Sequence, residues 1–189
     1  MPRVTRARAQ ANREAVVRVA SELLREHGVA GVSVDAVCTR AGLTHGGFYK
    51  QFASKDALLS EAMNCAVDQR RKVVAETTEQ HGDGARALLT NWYLSPEHRD
   101  APTSGCAVAA LVGEAATNAH GPLRDGYRTA LDDLLCAVAT HDGDASGHVG
   151  DADLAKVALM VGALQLARAT AGTPLSEQFL AAAFTHLQT

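Results

Sequence analysis

A chain of 189 residues, 47% hydrophobic but only 4% aromatic, has room for one sizeable domain or for a small domain joined to a larger one. Its apolar content points to helices of Ala, Val and Leu rather than to a β-sandwich. No apolar run approaches the roughly 20 residues that cross a bilayer, and the N-terminus has no hydrophobic secretion segment, so a cytoplasmic protein without membrane contact is expected.

The net charge of −3 is unevenly placed: residues 1–55 carry nine Lys/Arg against four Asp/Glu, the remainder nine against seventeen. A basic head suits phosphate contact, and an acidic body, repelled by DNA, orients the molecule on approach. The plainer reading of Arg3, Arg6, Arg8, Arg13 and Arg18 is a solvated helix face.

In chain order, the apolar spacing predicts an all-α fold of about nine helices. Residues 1 to 8 read as a mobile basic arm. The first helix runs from about Ala9 to His27, buries Val16, Val19, Ala20, Leu23 and Leu24, and stops at Gly28. Ser33 is an N-cap for a second helix carrying Val34, Val37 and Ala41, which Gly42 ends; Thr44 caps a third, His45 to Phe52. Two helices joined by a short Gly-containing turn are a helix-turn-helix, whose second helix enters the DNA major groove.

Ser54 then caps a long helix, Lys55 to about Gln80, that leaves the head and enters the body, and Gly82-Asp83-Gly84 ends it. Further helices are expected at Ala85 to Leu94, Ser104 to Ala119, Gly121 to His141, Asp151 to Ala171 and Pro174 to Leu187, with a loop from Ser95 to Thr103. The expected division is a DNA-binding domain, 1–53, and an effector-binding and dimerisation domain, 54–189.

The stretch GLTHGGFYKQFASKDAL, with its Tyr-x-x-Phe step followed by Ser-Lys, resembles the DNA-binding signature of TetR/AcrR-type bacterial transcriptional regulators. The motif covers Ser33 to Leu58, and the AxxLLxExG ending of the preceding helix, Ala20 to Gly28, is also similar. Beyond about Met63 the likeness is one of helical layout and length. Gln51 stands where that family commonly has His, and Gly46-Gly47 loosens the start of the recognition helix. The resemblance implies a non-enzymatic, dimeric repressor that binds a near-palindromic operator and is released by a small effector.

Within the recognition segment, Thr44, Tyr49, Gln51 and Lys55 are phosphate-contact candidates, Tyr49 because it matches the family's Tyr. His45 and Lys50 are candidates for base edges, and Gly46 and Gly47 let the backbone approach the groove. Phe48 and Phe52 read as core.

The last two helices are apolar on more than one face, and small residues such as Gly162, Ala163 and Ala167 allow close approach. A two-fold homodimer through a four-helix interface is expected, with a core helix pair within one subunit as the alternative. Met63, Trp92, Tyr93, Cys106, Tyr127, Met160 and Gln165 are the effector-contact candidates, offering soft, aromatic, hydroxyl and amide surface; each also reads as ordinary core.

Cys38, Cys65, Cys106 and Cys136 form no CxxC pair and have no His at ligand spacing, so neither a disulfide framework nor a metal site is expected, and no cofactor is implied. Cys38 and Cys136 read as packing. Cys106 lies in Pro-Thr-Ser-Gly-Cys at a helix start, where the helix dipole favours the thiolate: a redox or electrophile sensor, or a small apolar residue. The Asp142 to Asp153 loop has an incomplete calcium-loop pattern and reads equally as an Asp/Gly-rich connector. Two other functions compete: a constitutive architectural DNA-binding protein without effector, and a thiol enzyme pairing Cys106 with a His such as His120.

Overall fold

The computed structural model describes residues 6–117, 121–141 and 148–188. All regular structure among them is helical. The ten α-helices are α1 (Arg6–Gly31), α2 (Val34–Ala41), α3 (His45–Tyr49), α4 (Lys55–His81), α5 (Ala85–Tyr93), α6 (Pro96–Asp100), α7 (Ala107–Thr117), α8 (Pro122–His141), α9 (Asp151–Ala169) and α10 (Pro174–Gln188). Short 3-10 turns lie at Gly82–Gly84 and Pro102–Ser104.

The all-α class is as the sequence predicts, and four local signals set the first half of it. Ser33 Oγ accepts the Ala36 N–H at 3.0 Å, Thr44 Oγ1 the Gly47 N–H at 3.2 Å, and Ser54 Oγ the Ala57 N–H at 3.1 Å. Each such cap stabilises its helix by about 1 kcal/mol. Gly42, at φ 68° and ψ 34°, takes the left-handed turn that stops α2.

A single buried cluster runs from Val16 of α1 to Ala183 of α10. The long α4 is its axis: it packs on α1, α5, α7 and α8, while α9 packs on α10, α8 and α7. Arg25 is almost fully buried in α1, and joins three elements by donating to Thr103 O at 2.8 Å and to Gln69 Oε1 at 2.9 Å. Arg13 of α1 pairs with Glu61 of α4 and lies 4.7 Å over the Phe52 ring, which fixes α3's exit against both helices.

Several bounds differ from the sequence reading. Helix α1 already includes Arg6 to Arg8, so the expected arm shrinks to residues 1–5, which lie outside the described residues. Gly28 (φ 68°, ψ −167°) breaks α1 where predicted, but a further turn continues to Gly31. Helix α3 ends at Tyr49 rather than Phe52, because the Gln51 and Phe52 amides both turn back to the Phe48 carbonyl, at 2.8 and 3.0 Å, and bring the Phe48 and Phe52 rings to 5.3 Å.

The predicted loop Ser95 to Thr103 contains α6. Its N-cap is Ser95, whose Oγ accepts the His98 N–H at 3.2 Å, and Pro96 occupies the first turn. Cys136 is exposed on α8 rather than packed, because Leu134 and Ala139 face the core instead, whereas Cys38 is buried. Of the Asp142 to Asp153 loop, 142–147 lie outside the described residues; the Asp153 carboxylate accepts the Gly150 N–H at 2.9 Å and caps α9. No helix among the described residues is long and apolar enough to cross a membrane.

Candidate nucleic-acid interface and effector cavity

The α2–turn–α3 unit stands on a core of Val37, Cys38 and Phe48 and turns its polar side outward. Thr44, His45, Gly46 and Lys50 are exposed, and Tyr49 is 63% exposed, its ring packed edge-on against Phe48. Gly46 has open space where a side chain would stand, and Gly47 lies against Thr44 Oγ1; both have ordinary helical backbone. No special backbone angle therefore requires glycine at position 46.

Two of the expected contact residues have intramolecular partners. His45 Nε2 bonds to the Asp35 carboxylate of α2, which holds the ring at the rim of the exposed face. Lys55 Nζ donates to the Val29 carbonyl at 3.0 Å. The side-chain oxygen of Gln51 is buried without a partner, so this residue is only partly turned outward.

The Val29 peptide is held from both sides. Its N–H donates to both Glu114 carboxylate oxygens of α7, at 3.2 and 3.0 Å, and its carbonyl accepts from Lys55 at the start of α4. Gly28 makes this possible: it sits at φ 68°, and a Cβ there would lie 1.9 Å from Glu114 Oε1. The two helices that grip the entrance to α2 are therefore α7 and α4.

Those same helices wall a cavity of about 350 Å³, within the range of roughly 300–1,000 Å³ typical of ligand sites. Ala66, Val67 and Val74 of α4, Leu89 of α5, Val108 of α7 and Leu134 of α8 supply apolar wall, and Leu187 of α10 closes one side. Cys106 and Met160 also line it. The other expected effector contacts lie elsewhere. Met63 is fully buried against Gly126, Tyr93 is fully buried behind Cys106, Trp92 stacks on His98, Tyr127 is half-buried in α8, and Gln165 sits on the partly exposed side of α9.

The sequence reading missed the charged part of the wall: Arg70, Arg71, Arg86 and Lys156 against Asp133. Asp133 is engaged by Arg71 through two hydrogen bonds of 2.5 and 2.8 Å. Arg70 and Arg71 sit consecutively in α4 where a solvated face is the ordinary reading, and the four-residue step from Val67 to Arg71 was the available signal.

Behind the cavity, His98 organises the start of α7. It is fully buried; its Nδ1 donates to the Tyr93 carbonyl at 2.8 Å, and its Nε2 accepts the Cys106 N–H at 3.0 Å. The Nε2 contact needs the neutral ring, and burial first, with Arg168 and Arg70 adding repulsion, lowers its pKa from 6.5 to about 4 against the opposing pull of the Tyr93 carbonyl. The Trp92 ring stacks on it at 4.2 Å. Arg25, Arg70 and Arg168 all lie within electrostatic reach of the Cys106 thiol, cationic neighbours that only the fold brings together.

The sequence model of the bacterial regulatory proteins of the tetR family matches residues 16–62, the segment that forms α1 to α3 and the start of α4. The chain is 26% identical over 129 residues to the HTH-type transcriptional regulator BetI of Stenotrophomonas maltophilia (strain R551-3). That match takes in 68% of this chain and spans 65% of the relative's length.

Among solved structures it is similar to a TetR transcriptional regulator from Chloroflexus aurantiacus J-10-FL (TM-score 0.74, 25% identity, 96% of this chain and 94% of that one). It is also similar to a TetR-family transcriptional regulator from Cytophaga hutchinsonii (TM-score 0.77, 18% identity, 95% and 94%), a likeness of fold alone. The helix-turn-helix is formed over the segment that the tetR-family model matches, and the fold of these regulators extends over nearly the whole chain.

Proposed function

We propose that the protein is a DNA-binding transcriptional regulator, a repressor that holds a near-palindromic operator as a homodimer and releases it when a small, largely apolar or electrophilic effector fills the cavity. On this reading residues 1–53 bind DNA and residues 54–189 bind effector and partner. Thr44, Tyr49, Gln51 and Lys55 meet phosphates; His45 and Lys50 meet base edges; Gly46 and Gly47 provide clearance.

The observation that carries it is the double grip on Val29. A ligand that moves α7 or α4 by a fraction of an ångström strains a peptide at the mouth of the DNA-reading unit, so occupancy and helix placement are linked. An effector shifts the two geometries only by its differential affinity for them.

The homodimer is supported by the outer side of α9 and α10, where Leu154, Leu166 and Leu175 are about half exposed and Gly162 has open space above it. A second copy would bury them and set two recognition helices about 34–36 Å apart, one helical turn of DNA. The cavity favours this reading over an architectural protein without effector. The thiol-enzyme alternative lacks a base near Cys106: His98 spends both ring nitrogens on backbone groups, and His120 lies outside the described residues.

Selection of genomic fragments, followed by anisotropy titration across salt, tests the reading. A preferred site whose affinity falls steeply with salt is expected; equal binding to all fragments overturns it.

A further inference from the structure

We infer that the ligand of this cavity is an amphipathic anion, a compact carboxylate or phosphate-monoester head on an apolar chain, with the head bound at Arg70 and the chain lying along the apolar wall. The inference deepens the effector-cavity reading and rests on it.

Arg70 lines the cavity, yet its Nε and Nη1 are buried and have no hydrogen-bond partner. A guanidinium withdrawn from water without an acceptor is unfavourable, and it is retained where something absent from the free protein supplies the acceptor. No lining carboxylate can do so, because Asp133, the lining acid, is already held by Arg71 through two bonds. Arg70 is also fixed in place: its guanidinium carbon stands 4.8 Å from the centroid of the Trp92 ring, and that ring is stacked on buried His98. A planar guanidinium so braced is pre-organised for an oxyanion.

Arg71, Arg86 and Lys156 make the rest of the charged lining cationic apart from Asp133, which favours a negative ligand from the outset. In the same lining Ala66, Val67, Leu89, Leu134, Val138 and Met160 offer no polar side chain, so the remainder of the ligand is apolar.

Trp92 is the single tryptophan and touches Arg70, so its fluorescence reports occupancy in the full-length protein. Octanoate, octyl phosphate and 1-octanol are titrated in parallel. At least one anion is expected to bind tenfold or more tightly than the alcohol, and which of the two binds better identifies the head. Arg70→Gln is expected to remove that preference while changing the affinity for 1-octanol less than threefold. Arg70→Met, free of ligand, is expected to unfold at the parent's temperature or above it.

The proposal is overturned if 1-octanol matches both anions, if neither anion binds at millimolar concentration, or if Arg70→Gln keeps the preference. It is also overturned if Arg70→Met loses stability, which would make Arg70 a structural partner of Trp92. An anion that binds at Arg70 but leaves operator affinity unchanged supports the site and sinks the allosteric reading instead.

Discussion

His98 Nε2 accepts the backbone N–H of Cys106 at 3.0 Å, so a buried neutral imidazole holds the first peptide of α7, at the edge of the cavity. The bond exists only while the ring is unprotonated, which gives the fold a defined pH dependence.

With a folded pKa of about 4 against 6.5 for the unfolded chain, the unfolded state takes up the proton first as pH falls. The stability contributed by neutral His98 is complete above about pH 6.5 and is lost progressively down to about pH 4, roughly 3 kcal/mol across the window. Thermal unfolding at pH 7 and pH 5 is expected to differ more in the parent than in His98→Gln, which does not titrate. Parallel losses in the two proteins would contradict this role.

Gly28→Ala combines a left-handed backbone with a clash on Glu114, and is expected to cost about 2 kcal/mol of stability. Glu114→Gln keeps the size and one acceptor but removes the charge from the Val29 contact. It is expected to leave the fold intact and reduce the effect of a cavity ligand on operator affinity severalfold. Denaturant unfolding and DNA anisotropy measure the two effects; an unchanged ligand response in Glu114→Gln would remove α7 from the coupling path.

On the DNA face, Lys50→Ala and His45→Ala are expected to relax preference at particular base pairs by about 1–3 kcal/mol each, whereas Tyr49→Phe lowers affinity for all sequences alike. Gly46→Ala fills open space in a helix, so it should stabilise the free protein by about 0.5–1 kcal/mol while weakening operator binding. If Gly46→Ala binds the operator as well as the parent, clearance is not why glycine stands there.

The helix-turn-helix was legible because its signals are local. Ser33, Gly42, Thr44 and Ser54 act within a few residues of themselves, and each makes the cap its position announces. Ser95-Pro96 was the same kind of signal, outweighed by two nearby prolines that suggested a loop. The cavity was not legible in this way. Whether Arg70 faces water or a cavity depends on where α5 and α8 pack, and the partner that takes up Lys55 is 26 residues away at Val29. Trp92 and Tyr93 have suitable chemistry, but both pack against the ring of His98 in α6, which places them behind the wall rather than on it.

Among the thiols, Cys136 is exposed while Cys106 is only 5% exposed. A bulky maleimide is expected to label Cys136 and spare Cys38 and Cys106, whereas a small electrophile reaches Cys106 through the cavity. If Cys106 senses electrophiles, such treatment releases DNA from the parent and not from Cys106→Ser. Mass spectrometry of the labelled peptides and anisotropy check both; release that persists in Cys106→Ser leaves Cys106 as wall alone.

Leu166→Arg places a charge on the outer side of α9 without touching the core. Sedimentation is expected to change from dimer to monomer, with operator affinity falling because one helix-turn-helix makes too few contacts alone. A dimer that survives Leu166→Arg would place the interface elsewhere.

The most direct test of the link between cavity and DNA is calorimetry of a cavity ligand with and without saturating operator. If occupancy and DNA binding compete for the placement of α4 and α7, a coupling of about 1–3 kcal/mol makes the ligand roughly 5- to 150-fold weaker on the operator complex, and the operator weaker by the same factor on the liganded protein. Equal ligand affinities in the two titrations, with occupancy confirmed by Trp92 fluorescence, would contradict the account.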